Sequence, residues 1–167
     1  TNLGEDDRDT ATYINGLARL FYSMGDYASA PETFDRALAT RTKIMGPNHS
    51  DTGFTLAGIG RVFEALGEYG TALRYHERAL AISQAEFGDN HPDTAVSHTD
   101  MGGVLQAVGD YPKAREHFER ALNIIEGIEG VYSDRTAIAT SNLSGLLVTI
   151  GELEKAKQLA QNAVDIL

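Results

Sequence analysis

Along the first fifty positions, apolar residues recur at the spacing of one helix face: Ile14, Leu17, Ala18 and Phe21, and then Ala30, Phe34, Ala37, Leu38 and Ile44. Steps of three and four residues predict two amphipathic helices rather than strands. Between them lies "MGDY", where Gly25 can take the left-handed conformation that ends a helix and Asp26 offers a carboxylate to the positive end of the next. The turn returns as "LGEY", "VGDY" and "IGEL", with Gly67, Gly109 and Gly151 each 42 residues after the one before. Ala30, Ala72, Ala114 and Ala156 keep that interval, as do Ala37, Ala79, Ala121 and Ala163, and Thr10, Thr52, Thr94 and Thr136. Columns that agree over every interval predict an all-α solenoid of tandem helix-turn-helix units, each burying its apolar face on the next. The repeats occupy residues 10–51, 52–93, 94–135 and 136–167 of a single domain, with residues 1–9 as the tail of a preceding unit.

A second connector, "FGDNHPDTA" at Phe87 to Ala95, invites a chemical reading because it sets a histidine among carboxylates. It recurs, however, as "MGPNHSDT" from Met45 and as "EGVYSDRT" from Glu129, so it belongs to the repeat. Gly88 can end one helix, Pro92 suits the first position of the next, and Asp93 complements that helix's dipole. His91 and Asn90 are candidate caps for otherwise unpaired amides. A metal would need three or four converging ligands, and the third connector has Tyr132 and Ser133 where Asn and His stand in the others. The expectation is that this loop turns the chain and holds no metal.

Composition narrows the function classes. The chain has 167 residues, no cysteine and a net charge of −10. Disulfides, thiolate metal sites and cysteine nucleophiles are excluded. A surplus of acid opposes sequence-independent binding to nucleic acid and to anionic membrane surfaces, and no apolar run approaches a membrane span. The start "TNLGEDDRD" has no basic segment followed by an apolar core, so the expected location is cytoplasmic.

The pairs Leu17-Ala18, Ile59-Gly60, Met101-Gly102 and Leu143-Ser144, the Gly-acid-Tyr turns, the second-helix alanines and the "GDNHPDTA" connector together resemble tetratricopeptide repeats. The likeness is to the long, 42-residue kind found in kinesin light chains, and it covers nearly the whole chain. It implies a right-handed α-α superhelix whose first helices line a concave groove, and a scaffold for protein interaction rather than an enzyme. Kinesin light chains carry paired asparagines just before the Leu-Ala pair, which contact the backbone of cargo peptides. The matching pairs here are Asn15-Gly16, Ala57-Gly58, Thr99-Asp100 and Ser141-Asn142, so Asn15 and Asn142 carry over. Relatives that bind chaperones grip a terminal carboxylate with basic residues and asparagines on this face, and Asn15, Arg19 and Arg61 are partly similar to that set. The first and last residues align with the interior of a repeat, which suggests a piece of a longer array whose apolar ends self-associate.

Independently of the likeness, Thr12, Asn15, Arg19 and Tyr22 form a stripe on the first helix distinct from Ile14, Leu17 and Phe21. Advancing by one period gives Phe54, Ala57, Arg61 and Glu64, then Val96, Thr99, Gly103 and Gln106, then Ile138, Ser141, Gly145 and Val148. We assign peptide binding to Thr12, Asn15, Arg19, Tyr22, Phe54, Arg61, Glu64, Val96, Thr99, Gln106, Ile138, Ser141 and Asn142. Arginines beside an apolar line fit a segment that carries acidic and apolar residues. The first repeat is also the least acidic, its formal charges balancing.

Glycine inside a helix costs about 1 kcal/mol relative to alanine. Close packing of paired helices is expected at Gly60 and Gly102, and an open approach to the backbone at Gly103 and Gly145. No catalytic constellation, cofactor motif or metal set emerges: "GIGRVFEALG" lies in a helix rather than after a strand, and His76, His98 and His117 read as structural. A self-assembling spacer and a ligand-sensing module of a larger signalling protein are the alternative functions.

Overall fold

The computed structural model describes residues 7–164, with side chains through Gln161. Among the described residues there are eight helices and no strand. They are α1 (Arg8–Ser23), α2 (Ala30–Met45), α3 (Ser50–Ala65), α4 (Tyr69–Phe87), α5 (Pro92–Val108), α6 (Tyr111–Glu129), α7 (Asp134–Thr149) and α8 (Leu153–Val164). The chain divides into two compact units, one reaching Glu86 and holding α1 to α4, the other beginning at Phe87 and holding α5 to α8. Most of the tail expected over residues 1–9, and the end of the last repeat, fall outside these residues or side chains.

Hairpin turns form as their chemistry requires. Gly109 has φ of 83°, and its amide and that of Asp110 bond back to the carbonyls of Gln106 and Leu105 at 3.1 and 2.9 Å. This double closure satisfies carbonyls that the last turn of α5 leaves open, and a residue with Cβ would be strained there. The carboxylate of Asp110 then accepts from the amide of Lys113 at 3.4 Å, and that of Asp26 from the amide of Ser29 at 3.1 Å. The side chains of Ser29 and Lys113, and after them these amide bonds, hold the carboxyls of Asp26 and Asp110 below their ordinary pKa.

The connectors between hairpins do turn the chain. His49 and His91 cap α3 and α5, each Nδ1 accepting an amide two residues on, from Asp51 and Asp93, at 3.1 Å. Ser133, in the same column, caps α7 by accepting from the amide of Thr136 at 3.0 Å. The threonine column has a cause of its own. The hydroxyls of Thr52, Thr94 and Thr136 donate to the carbonyls of Gly46, Gly88 and Gly130 at 2.9, 2.7 and 2.7 Å, and all three side chains are buried.

Packing follows the alanine columns. Ala30, Ala72, Ala114 and Ala156 are buried, as are Ala37, Ala79 and Ala121, which lets the paired helices approach closely. In the first unit Ala18, Ala30, Phe34, Ile59 and Val62 make one cluster, and Leu56, Ala79 and Ile82 another. In the second, Ala95, Ala121, Ile124 and Ile125 do the same work. One element departs from expectation: Leu17 is exposed and Asn15 buried, so the buried stripe of α1 runs through Ala11, Asn15 and Ala18. The cause is positional. The residues matching Leu17 and Leu20 on α3, Ile59 and Val62, are covered by the hairpin before them.

Candidate functional site

Within each unit, the first helices of successive hairpins lie side by side. In the first unit α1 meets α3, and the Arg8 guanidinium reaches the Asp51 carboxylate at 3.3 Å. In the second α5 meets α7, where the Gln106 amide donates to the Thr149 hydroxyl at 3.5 Å. Each unit therefore presents a face built from two parallel-running first helices, and the thirteen assigned residues lie on these helices.

The first unit's face is charged and aromatic. Arg19, Thr12 and Phe54 are exposed, and Tyr22, Arg61 and Glu64 are half-buried. The Thr12 hydroxyl donates to the Arg8 carbonyl at 3.0 Å, so its methyl is what it offers outward. Glu64 is committed inward, its carboxylate lying 2.5 Å from Nε2 of the buried His76 on α4. Asn15 is also turned in, and its Oδ1 is a buried acceptor with no hydrogen-bond partner. Basic character on this face therefore comes from Arg19 and Arg61, with one side carboxylate held by a histidine.

The second unit's face is uncharged along the assigned stripe. Val96, Ile138 and Ser141 are exposed, while Thr99, Gln106 and Asn142 are half-buried. Gly103 and Gly145 adjoin them, and a Cβ built on either would meet nothing within 4 Å. The backbone is thus bare at two points between apolar and amide side chains. Gly60 and Gly102 differ: an added Cβ would stand 2.5 Å from the His76 ring and 2.6 Å from the Phe118 ring. Close helix packing accounts for both. Gly58 belongs with them, because a Cβ there would lie 2.6 Å from the Phe34 ring.

The three histidines that do not cap helices fall into two pairs. His76 is bound to Glu64, as above, and His117 faces His98 with Nδ1 to Nδ1 at 2.9 Å between α5 and α6. Burial, with His117 and Arg120 adding positive charge, pushes His98 down to about 4, and burial lowers His117 as well. Both rings are therefore neutral near pH 7, one Nδ1 donating and the other accepting. Among the described residues no three His, Cys, Asp or Glu side chains converge on a metal position, and no helix is long and apolar enough to cross a membrane.

A tetratricopeptide repeat family model matches residues 9–85, 64–124 and 93–167, which together take in nearly the whole chain. The chain belongs to the tetratricopeptide repeat family. Members of that family are typically scaffolds that bind peptide or protein partners, and the kinesin light chain-like fold is known as a non-enzymatic one. Among solved structures, this tetratricopeptide chain is similar to BtubC (BKLC) from P. vanneervenii, with a TM-score of 0.81 at 20% identity, over 92% of this chain and 60% of that one. It thus spans about three fifths of BtubC. A putative kinesin light chain of Podosopora anserina with nearly identical TPR-like repeats matches over 99% of this chain and 78% of its own, with a TM-score of 0.79 at 19% identity. The apo form of RapI matches over 96% and 57%, with a TM-score of 0.82 at 19% identity. At these identities the likeness is one of fold, a solenoid of tetratricopeptide hairpins. No curated protein sequence matches the chain.

Proposed function

We propose that this tetratricopeptide chain is a non-catalytic interaction module that holds a peptide or partner segment against the faces of its first helices. The observation that supports this reading best is the first unit's face, where exposed Arg19 and half-buried Arg61 hold the same repeat position on the two first helices and exposed Phe54 lies about two turns along α3 from Arg61. Guanidinium groups on the same face as an aromatic anchor, about 10 Å away along the helix, favour a segment with a carboxylate a few residues from an apolar side chain. The second unit offers Val96, Ile138, Ser141 and Asn142 with bare backbone at Gly103 and Gly145, which suits uncharged, apolar residues.

An acidic segment is accordingly captured at the arginines, over a range of about 10 Å at moderate salt. The test is an array of peptides varied in acidic and apolar content, read by fluorescence anisotropy. Peptides with both features bind, and the double variant Arg19→Glu, Arg61→Glu loses them by tenfold or more with an unchanged helical circular dichroism spectrum. Undiminished binding by that variant would remove the arginines from the site.

A further inference from the structure

Arg19 and Arg61 stand one period apart, at the same repeat position of α1 and α3. The bonds that join successive first helices show how near such positions come. Arg8 reaches Asp51 at 3.3 Å and Gln106 reaches Thr149 at 3.5 Å, each across 43 residues, one more than the period. A long side chain on a first helix therefore spans to the matching level of the next, and two arginines at one level can bring their guanidinium groups to a common point. Three positions before them stand Gly16 and Gly58, and four positions after them Ser23 and Ala65, so much of the surface around the pair carries small side chains. Of the larger neighbours, Tyr22 lies against the ring of Tyr27 and Glu64 is drawn inward by buried His76.

Two like charges at one level repel, and the group that suits them has to answer both. A carboxylate offers one charge and two oxygens, and a single guanidinium fork takes both oxygens, which leaves the second arginine unmet. A phosphate monoester carries about 1.5 to 2 negative charges near pH 7 and three acceptor oxygens, so two forks share it and both cations are neutralised. Each guanidinium has five N–H donors, so a bond made elsewhere does not exhaust it. Phe54 constrains the rest of the ligand: it precedes Arg61 by seven residues on the same helix. That is about 10 Å along the axis, which an extended segment covers in about three residues. Among sources of phosphate, membranes and nucleic acid present dense negative charge that a chain of net charge −10 repels, whereas a single phosphorylated side chain does not.

We propose that the first unit's face takes a phosphorylated peptide, its phosphate shared by Arg19 and Arg61 and an apolar residue about three positions away set against Phe54. The inference rests on the peptide-binding reading above and narrows its acid from a carboxylate to a phosphate.

Fluorescence anisotropy with one peptide in three forms tests it, the position about three residues from a leucine being serine, glutamate or phosphoserine. The phosphoserine form is expected to bind about tenfold or more tighter than the glutamate form, with serine weakest. In Arg19→Lys, Arg61→Lys, which keeps both charges and removes both forks, the advantage of phosphoserine over glutamate shrinks severalfold while the helical circular dichroism spectrum stays the same. Equal binding of the phosphoserine and glutamate forms, an advantage that the lysine variant keeps in full, or displacement of the peptide by inorganic phosphate at a like concentration would overturn the proposal. The two readings fail differently. If Arg19→Glu, Arg61→Glu leaves every form bound, the arginines are not the site and both fall; if it releases glutamate and phosphoserine forms that had bound equally, the phosphate assignment falls alone.

Discussion

Neighbouring glycines of α5 give a test of packing in which helix propensity cancels. Replacing either Gly102 or Gly103 by alanine should return about 1 kcal/mol of helix stability, because both lie inside the same helix. Their surroundings differ completely. A Cβ on Gly102 would lie 2.6, 2.7 and 3.0 Å from Cε1, Cδ1 and Cγ of Phe118, where ordinary carbon contacts are about 3.5–4.0 Å. Phe118 is itself buried, so its ring cannot swing out into solvent and must displace its neighbours to withdraw. Overpacking of this kind costs about 1–3 kcal/mol. A Cβ on Gly103 would meet nothing within 4 Å. Gly103→Ala is therefore expected to stabilise by up to about 1 kcal/mol and Gly102→Ala to be neutral or to destabilise by up to about 2 kcal/mol. Subtracting one from the other leaves the steric cost alone, about 1–3 kcal/mol. With a urea dependence of about 1–3 kcal/mol per molar, the two midpoints should separate by on the order of 1 M, followed by circular dichroism. Coincident midpoints would show that Phe118 yields without cost and that its ring does not explain the glycine.

Thr94→Val removes the hydroxyl that donates to the Gly88 carbonyl at 2.7 Å while keeping the side chain's shape. Leaving that half-buried acceptor unmet should cost about 1 kcal/mol in urea unfolding, and an unchanged midpoint would remove the bond as the reason for the threonine column. The His98 pair predicts acid sensitivity: its folded pKa of about 4 lies below the ordinary 6.5, so the unfolded chain takes up a proton first as pH falls. Stability complete above about pH 6.5 is then lost progressively toward pH 4, with roughly 2 kcal/mol gone between pH 7 and pH 5. His98→Leu, which installs the residue found one repeat earlier at Leu56, should flatten that dependence, and a wild-type urea midpoint equal at both pH values would refute it.

The repeat and its turns were legible because they answer local needs of the backbone. A helix end needs a residue at positive φ, an N-terminus needs an acceptor, and these needs recur wherever the hairpin recurs. The third connector shows how far this goes: Ser133 departs from His49 and His91 in type but caps its helix just as they do. Partnerships across a hairpin were less legible, because periodicity gives the face of a residue and not what lies opposite. Glu64 lies on the face-bearing stripe by spacing, yet its carboxylate is held by His76 twelve positions away. Likewise Gly58 shares the stretch of Gly60, and only packing shows that its missing side chain makes room for Phe34. On α1 the apolar period at Leu17 matched that of its repeat-mates, but a buried position needs a covering helix as well as an apolar side chain.

Because four repeats share one backbone plan, the chain serves as its own internal control for separating stability from recognition. Columns held identical, such as Gly109 and its mates, the buried threonines and the second-helix alanines, each meet a requirement found at every hairpin. The column of Thr12, Phe54, Val96 and Ile138 changes in every copy, and the three large members are exposed. Arg19, Arg61, Gly103 and Gly145 likewise share a column and span the range from long cation to bare backbone. No helix-packing requirement selects an arginine at one such position and a glycine at another, since a Cβ at either glycine has open space around it. Chemical differences between the two units' faces are thus carried by positions whose exchange leaves the hairpins intact. Replacing Gly103 and Gly145 by arginine in the Arg19→Glu, Arg61→Glu background should restore acidic-peptide binding, now at the second unit, without lowering the urea midpoint, separating what the hairpins need from what their faces select; binding that stays lost would refute the assignment of this column to recognition.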